Sequence, residues 1–525
     1  MLSLFAQLAM PPNALTEQFS LVTMHYMASH SLPENSSMLM RRQTIRRESV
    51  ERQRVKAQRT RNKHVALTTL PDDVLLEIFD SYRHTSKCLS DNTWKWTTLV
   101  HVCRKWRHIV FASPRRLELC LLCTHGSPVR KSLSCWPPLP IVVKYSAALE
   151  FRPPALEDVK NVVAALEHPD RVRGIQLAIT SSILGDVATL MERSFPDLTI
   201  LSLWSDKGAP SLPNGFLGEH APRLKDLSLI GISFPGLSTL LRSTRDLTSL
   251  RLLEVPDASY ISPHAIATCL SALPRLRVLC IEFHSPTLRH DKFHERILPQ
   301  RRLVLPALIR FNFRGASEYL EKLVAGIHAP LLSHVNITLF NQIIFEIRHL
   351  SEFINRIDAL GSAKVAEIES SFGSGVSVTL DQPGATAPVG YFLSLRIPCG
   401  GLDWQISSMA QICGQCSRLS GVERLYIRAD YLRLDWQDDM DSSVWVELFR
   451  SFASVKWLGI SGELGPHVAP ALQRIAEHLV TEVLPELCDL EFECCRKSAP
   501  VQEFVDAREK SGRPVHVQYA PFPFA

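Results

Sequence analysis

Pro222-Arg-Leu224-Lys-Asp-Leu227-Ser-Leu229 decides the fold, because its spacing returns along most of the chain. The frame is L-x-x-L-x-L, often with a proline two places before the first apolar position. It appears at Phe195-Pro-Asp-Leu198-Thr-Ile-Leu201-Ser-Leu203, at Leu247-Thr-Ser-Leu250-Arg-Leu252 and at Pro274-Arg-Leu276-Arg-Val-Leu279-Cys-Ile281. Further copies are Pro306-Ala-Leu308-Ile-Arg-Phe311-Asn-Phe313, Pro330-Leu-Leu332-Ser-His-Val335-Asn-Ile337, Val455-Lys-Trp-Leu458-Gly-Ile460 and Leu487-Cys-Asp-Leu490-Glu-Phe492. Degenerate copies start at Val172, Val365, Phe392 and Val422. The starts follow one another at a mean spacing of about 29 residues, the mark of one supersecondary unit used many times.

The L-x-L half alternates as a short strand does when one of its faces is buried. Helical periodicity fills the intervals. Ser262-Pro263 opens a segment whose Ile266, Cys269, Leu270 and Leu273 share a face, and Val444, Trp445, Leu448, Phe449 and Phe452 make another. Each unit is then one helix and one strand, and stacking such units in one direction predicts a parallel sheet lined by helices. This resembles the leucine-rich repeat solenoid. The units from 276 to 308 and from 332 to 422 are the least regular, and Gln382-Pro-Gly-Ala-Thr-Ala-Pro-Val-Gly390 reads as a loop excursion. An irregular α/β domain is the alternative.

Upstream lies a different pattern, ALTTLPDDVLLEIFDSYRH. Pro71 suits a first helical turn, where its missing N–H would be unsatisfied anyway, and Asp72 and Asp73 suit the positive end of the helix dipole. Val74, Leu75, Ile78, Phe79 and Tyr82 form one apolar face. In WTTLVHVCRKWRHIVFASP, Leu99, Val102, Cys103, Trp106, Ile109 and Val110 form a second, and Pro114 stops that helix. So small an all-α module needs a partner or the rest of the chain to lean on.

Leu70-Pro71-Asp72-Asp73-Val74-Leu75-Leu76-Glu77-Ile78-Phe79 with Val102-Cys103-Arg104-Lys105-Trp106-Arg107 resembles an F-box, the motif by which substrate receptors of SCF-type ubiquitin ligases dock on the Skp adaptor. Phe79 and Cys103 are 24 positions apart, a longer gap than is usual in that motif. The gap and the continuation LCLLCTHGSPVRKSLSCWPPLPIVV are similar to F-box proteins of mushroom-forming fungi. The resemblance implies that Leu70, Pro71, Val74, Leu75, Ile78, Phe79, Val102, Cys103 and Trp106 divide between the adaptor contact and the module's own core.

Of 525 residues 46% are apolar and 21% charged, which excludes a mainly disordered chain. The formal charge is +5, yet Arg41 to Lys63 alone carries +8, so the rest is mildly acidic. That arm has no aromatic residue for stacking bases, and it reads as a solvated linker or a nuclear import signal. Met1 to Met10 lacks the cation of a secretory signal, and no apolar run is long enough to span a bilayer.

The thirteen cysteines fit a reducing compartment. Cys120/Cys123 and Cys413/Cys416 each lack the second nearby pair of a zinc site, and His290/His294 lacks the glutamate of a zincin helix. No metal, cofactor or catalytic residue is expected.

The expected organisation is α/β: a tail over 1–65, an F-box-like module over 66–116, a connecting segment over 117–170, a leucine-rich-repeat-like solenoid over 171–495 and a C-terminal tail over 496–525. The expected function is a non-enzymatic substrate-recognition adaptor of an SCF-type ligase, in the cytoplasm, the nucleus or both. It would meet the Skp adaptor, through it a cullin, and an unnamed protein substrate, without membrane or nucleic acid. Trp204, Asp206, Trp404, Trp436 and Asp438, on or just after the strands, are the candidate substrate contacts. The alternatives are a nucleic-acid-associated protein using the basic arm, or an F-box scaffold outside any ligase.

Overall fold

The computed structural model describes residues 70–84, 99–100, 102–112, 118–124, 126, 129–135, 138–146, 156–205, 210–285, 302–371, 374–381, 393–429, 441–493 and 498–520. The basic run, the His290/His294 string, the Gln382–Gly390 excursion, the start at Phe392, Asp206, Trp436 and Asp438 lie outside the described residues. Two compact units are distinguished, a helical one reaching Val110 and a sheet-and-helix one from Phe111 onward.

In the helical unit, α1 spans Asp72–His84 and α2 spans Arg104–Ala112. Pro71 sits just ahead of α1, and its carbonyl accepts the Leu75 amide at 3.1 Å. Lys105 joins the two helices, donating to the Leu70 carbonyl at 2.7 Å and lying 3.4 Å from Asp72.

The second unit is α/β. It begins with β1 (Leu119–Leu122), α3 (Val129–Cys135), β2 (Ile141–Ser146), α4 (Leu156–Leu166), β3 (Val172–Ala178), α5 (Ser181–Leu190), β4 (Ile200–Trp204) and β5 (Asp226–Ile230). Then come α6 (Leu237–Ser243), β6 (Ser249–Val255), α7 (Pro263–Leu270), β7 (Val278–Phe283), β8 (Leu303–Val304), β9 (Arg310–Gly315), α8 (Ser317–Ala325), β10 (Ile327–His328) and β11 (His334–Leu339). The chain continues through α9 (Arg348–Asn355), β12 (Val365–Ser371), β13 (Gly375–Asp381), β14 (Leu393–Ile397), α10 (Leu402–Gln415) and β15 (Arg424–Ala429). It closes with α11 (Ser442–Arg450), β16 (Trp457–Ile460), α12 (Gly465–His478), β17 (Asp489–Glu493), α13 (Ala499–Lys510) and β18 (His516–Ala520).

All of these strands except β8 and β10, which pair with each other, form one sheet of 16 strands among the described residues. The repeat frame explains most of it. Its first apolar positions (Leu198, Leu224, Leu247, Leu276, Leu308, Leu332, Val455 and Leu487) are buried, as are both members of each following L-x-L pair. In each clear copy the amide of the first position donates to the carbonyl three residues earlier, as Leu224 does to Ala221 at 3.2 Å. This is a β-turn, and Pro196, Pro222, Pro274, Pro306, Pro330 and Pro485 occupy its second place, where proline's fixed φ is already correct. One residue further on, a backbone column runs from copy to copy: Thr199 N to Arg173 O, Lys225 N to Thr199 O and Thr248 N to Lys225 O, each at 2.8 Å.

The helices between strands turn their apolar sides inward; Ile266, Cys269 and Leu270 of α7 are buried, and Ser262 caps that helix by accepting the Ala265 amide at 3.3 Å. Consecutive helices pack on one another from α3 to α5, from α6 to α9 and from α10 to α13. Most alternate strand positions stay half-exposed or exposed, with buried exceptions such as Val142, Ser249 and Cys280, so the sheet has a covered and a largely open face.

Three expectations need correction. The segment 117–170 is more than a connection, since β1 and β2 already extend the sheet in parallel to β3. The stretch from 496 is not a tail, because α13 and β18 add a last unit beside β17. The sheet is also not wholly parallel or in chain order: it runs β11-β14-β13-β12-β15, with β13 antiparallel to both neighbours. The crossover from β11 is held by glutamines of α10. Gln411 accepts the Phe345 amide at 3.2 Å, while Gln415 accepts the Ile347 amide at 3.1 Å and donates to the Phe345 carbonyl at 2.7 Å.

Candidate functional site

The helical unit separates residues that looked alike in sequence. Leu75 and Phe79, four apart, are buried, and Phe79 lies against Trp106 with ring centroids 4.8 Å apart. Val74 and Ile78, also four apart, are 40% and 41% exposed, and Pro71 is exposed on the same helical stripe three places before Val74. Val102 is 53% exposed, whereas Leu70, Cys103 and Trp106 are half-buried and Ile109 and Val110 are buried. The single apolar face expected on α1 is thus two: one packs inward, and the other presents bare aliphatic groups to solvent.

The open face of the sheet is read by register. Across adjacent strands run Glu282 of β7, Arg314 of β9, Thr338 of β11, Arg396 of β14, Ser377 of β13, Glu369 of β12 and Arg428 of β15, each opposite the next. Two positions back along the strands lie Cys280, Asn312, Asn336 and Ser394 in the same order. Directly opposite residues share a face, so Arg314 and Arg396 flank Thr338 with the two asparagines beside them. A cleft of about 330 Å³ opens there, lined among others by Glu282, Asn312, Arg314, Thr338, Arg396 and Pro398. Gln405, buried in α10, ties its rim by donating to the carbonyls of Ser371 at 3.2 Å, Cys399 at 3.0 Å and Gly400 at 2.8 Å.

Burial raises the Glu282 carboxyl above its ordinary range, against the pull of Arg314 and with the help of Glu254. The His334 imidazole is lowered by burial and then by Arg310. Among the described residues neither Arg314 nor Arg396 makes a side-chain hydrogen bond or ion pair. Arginines lining a second hollow, about 670 Å³ at the starts of β3 to β5, differ in this respect. There Arg223 pairs with Asp197, Arg173 lies 3.4 Å from Glu118, and Arg171 donates to the Leu139 carbonyl at 3.2 Å.

Of the candidate substrate contacts within the described residues, Trp204 is half-buried at the end of β4, and Trp404 is 40% exposed with its indole N–H on Asn341 at 2.7 Å. The structure does not bring them together: β4 and β11, which leads to Asn341, stand five strand spacings apart, about 24 Å. Among the described residues, none of the tryptophan and aspartate candidates read from the sequence lines the arginine cleft. Its signal was the alternate place of the frame, as in Phe311-Asn312-Phe313-Arg314 and Leu393-Ser394-Leu395-Arg396.

The paired cysteines are packing groups. Burial pushes the thiols of Cys120 up to about 11 and of Cys123 and Cys416 up to about 12, leaving them protonated at neutral pH. Among the described residues no group of three or more His, Cys, Asp or Glu is placed to hold a metal, and no helix is long and apolar enough to cross a membrane. No family model matches the chain, and no curated protein matches it.

Proposed function

We propose that the chain is a non-enzymatic recognition protein with a docking part and a gripping part. In particular, it is a substrate-recognition subunit of an SCF-type ubiquitin ligase: the helical unit acts as an F-box on the Skp adaptor, and the sheet-and-helix unit acts as a leucine-rich-repeat-like solenoid holding a protein substrate. The observation that carries this reading is the exposed stripe of Pro71, Val74 and Ile78, with Val102, at motif positions in a unit whose Leu75, Phe79, Ile109 and Val110 are buried. Aliphatic groups left in water at such spacing suit a hydrophobic partner groove. The repeat supports the second half, since a sheet with one open face offers a broad surface to another protein. The mechanism is effective concentration: a substrate lysine is held near a ubiquitin-charged enzyme that other subunits supply.

Co-purification of the full chain with the Skp adaptor tests this. Val74→Asp with Ile78→Asp, both at exposed positions, is expected to abolish the complex while circular dichroism stays unchanged. A folded wild-type chain that forms no complex overturns the proposal, as does a complex indifferent to the double substitution.

A further inference from the structure

We propose that the cleft over β9, β11 and β14 takes two carboxylates from an extended acidic segment of a partner protein. Arg314 and Arg396 are separated by one intervening strand, about 10 Å between their backbones, and both stand exposed on the open face. In an extended peptide, side chains two residues apart lie on one side about 7 Å from each other, a span that two long arginine side chains can match. A guanidinium offers a planar fork to a carboxylate, and the amides of Asn312 and Asn336 stand beside the pair as further donors. Among the described residues neither guanidinium is held in a hydrogen bond or ion pair, although Glu282 directly opposite attracts Arg314; Arg173 and Arg223 in the other hollow are held by Glu118 and Asp197.

The surroundings also limit the occupant. Glu282 lies next to Arg314 on one side, and Glu369 lies two strands beyond Arg396 on the other. Positive charge bounded by carboxylates fits a short anionic stretch and repels a continuous phosphate chain, so an acidic peptide is favoured over nucleic acid. This inference rests on reading the sheet-and-helix unit as the part that grips a protein, and it is independent of adaptor docking.

The test uses the full chain without adaptor and follows the fluorescence anisotropy of three labelled probes: a peptide alternating Glu and Ser, one alternating Lys and Ser, and an oligouridine RNA. The Glu-Ser peptide is expected to bind, with affinity falling about tenfold in Arg314→Gln and in Arg396→Gln. Arg275→Gln, which removes an exposed guanidinium paired with Asp246 at 2.7 Å, is expected to leave that affinity unchanged. Arg314→Glu is expected to shift preference toward the Lys-Ser peptide. No binding of the Glu-Ser peptide, equal loss in Arg275→Gln, no loss in the two cleft variants, or tighter binding of the RNA overturns the proposal. Adaptor co-purification of Arg314→Gln separates the two readings, because docking is expected to persist in that variant.

Discussion

Arg508 shows how one side chain can close the end of a repeat. It is 1% exposed, and its guanidinium donates to the carbonyls of Val480 at 3.0 Å, Leu484 at 3.3 Å, Pro485 at 3.3 Å and Leu487 at 2.9 Å. A buried cation is tolerated here because carbonyl dipoles replace its water, although burial still lowers its pKa. Arg508→Met fills similar space but strands those carbonyls, and a loss of about 3 kcal/mol in urea unfolding is expected. Gly375 is a second single-residue constraint. Its φ is +90°, and a Cβ there would stand 1.9 Å from the Ile397 carbonyl oxygen. Gly375→Ala is expected to destabilise by about 2 kcal/mol or more, because left-handed backbone and steric overlap act together at the start of β13. Neither constraint is legible in the sequence, since a lone arginine or glycine has no periodicity to betray it.

Among the elements, α1 is where sequence and structure differ most usefully. Its apolar residues were legible from spacing, but their division into Leu75 and Phe79 inside and Val74 and Ile78 outside depends on what α1 packs against. Leu75→Ala is therefore expected to cost about 2–5 kcal/mol and to weaken docking only by unfolding the unit. Val74→Asp is expected to remove the proposed docking at little cost in stability, so thermal melts of the two variants should separate these roles. The last helix and strand make a similar case. Residues 496–525 read as a tail because they carry no L-x-x-L-x-L frame, yet β18 covers the edge of β17 and α13 packs on α12. Deleting them is expected to expose an unpaired edge and remove Arg508 together, giving soluble aggregates by light scattering.

At the scale of the molecule, titration should reveal which charges folding has desolvated. His467 is lowered by burial, and His334 by burial and then Arg310. The unfolded chain therefore binds protons at these sites at higher pH than the folded one, so stability falls as the pH drops through about 6.5. Asp226, Glu282 and Glu321 are raised by burial and act in the opposite sense, stability being recovered as they take up protons toward about pH 4.5. Calorimetry is expected to show a smaller fall in melting temperature between neutral and mildly acid pH for His467→Gln than for the parent. Equal falls would exclude this assignment.

Residue order alone was enough for the period and the burial of the repeat leucines, because each is a local matter. A proline two places before a leucine presets a turn, and alternation presets a half-buried strand. Which strand neighbours which is not local. Beyond β11 the strands β12, β13 and β14 enter the sheet in reverse order, and the segment that follows β11 is tied to Gln411 and Gln415, far along the sequence. That same order sets β14 beside β11, and so brings Arg396 to the cleft that Arg314 borders. The cleft exists only in the folded chain, since its two arginines lie in repeats that the sequence alone would never have placed side by side.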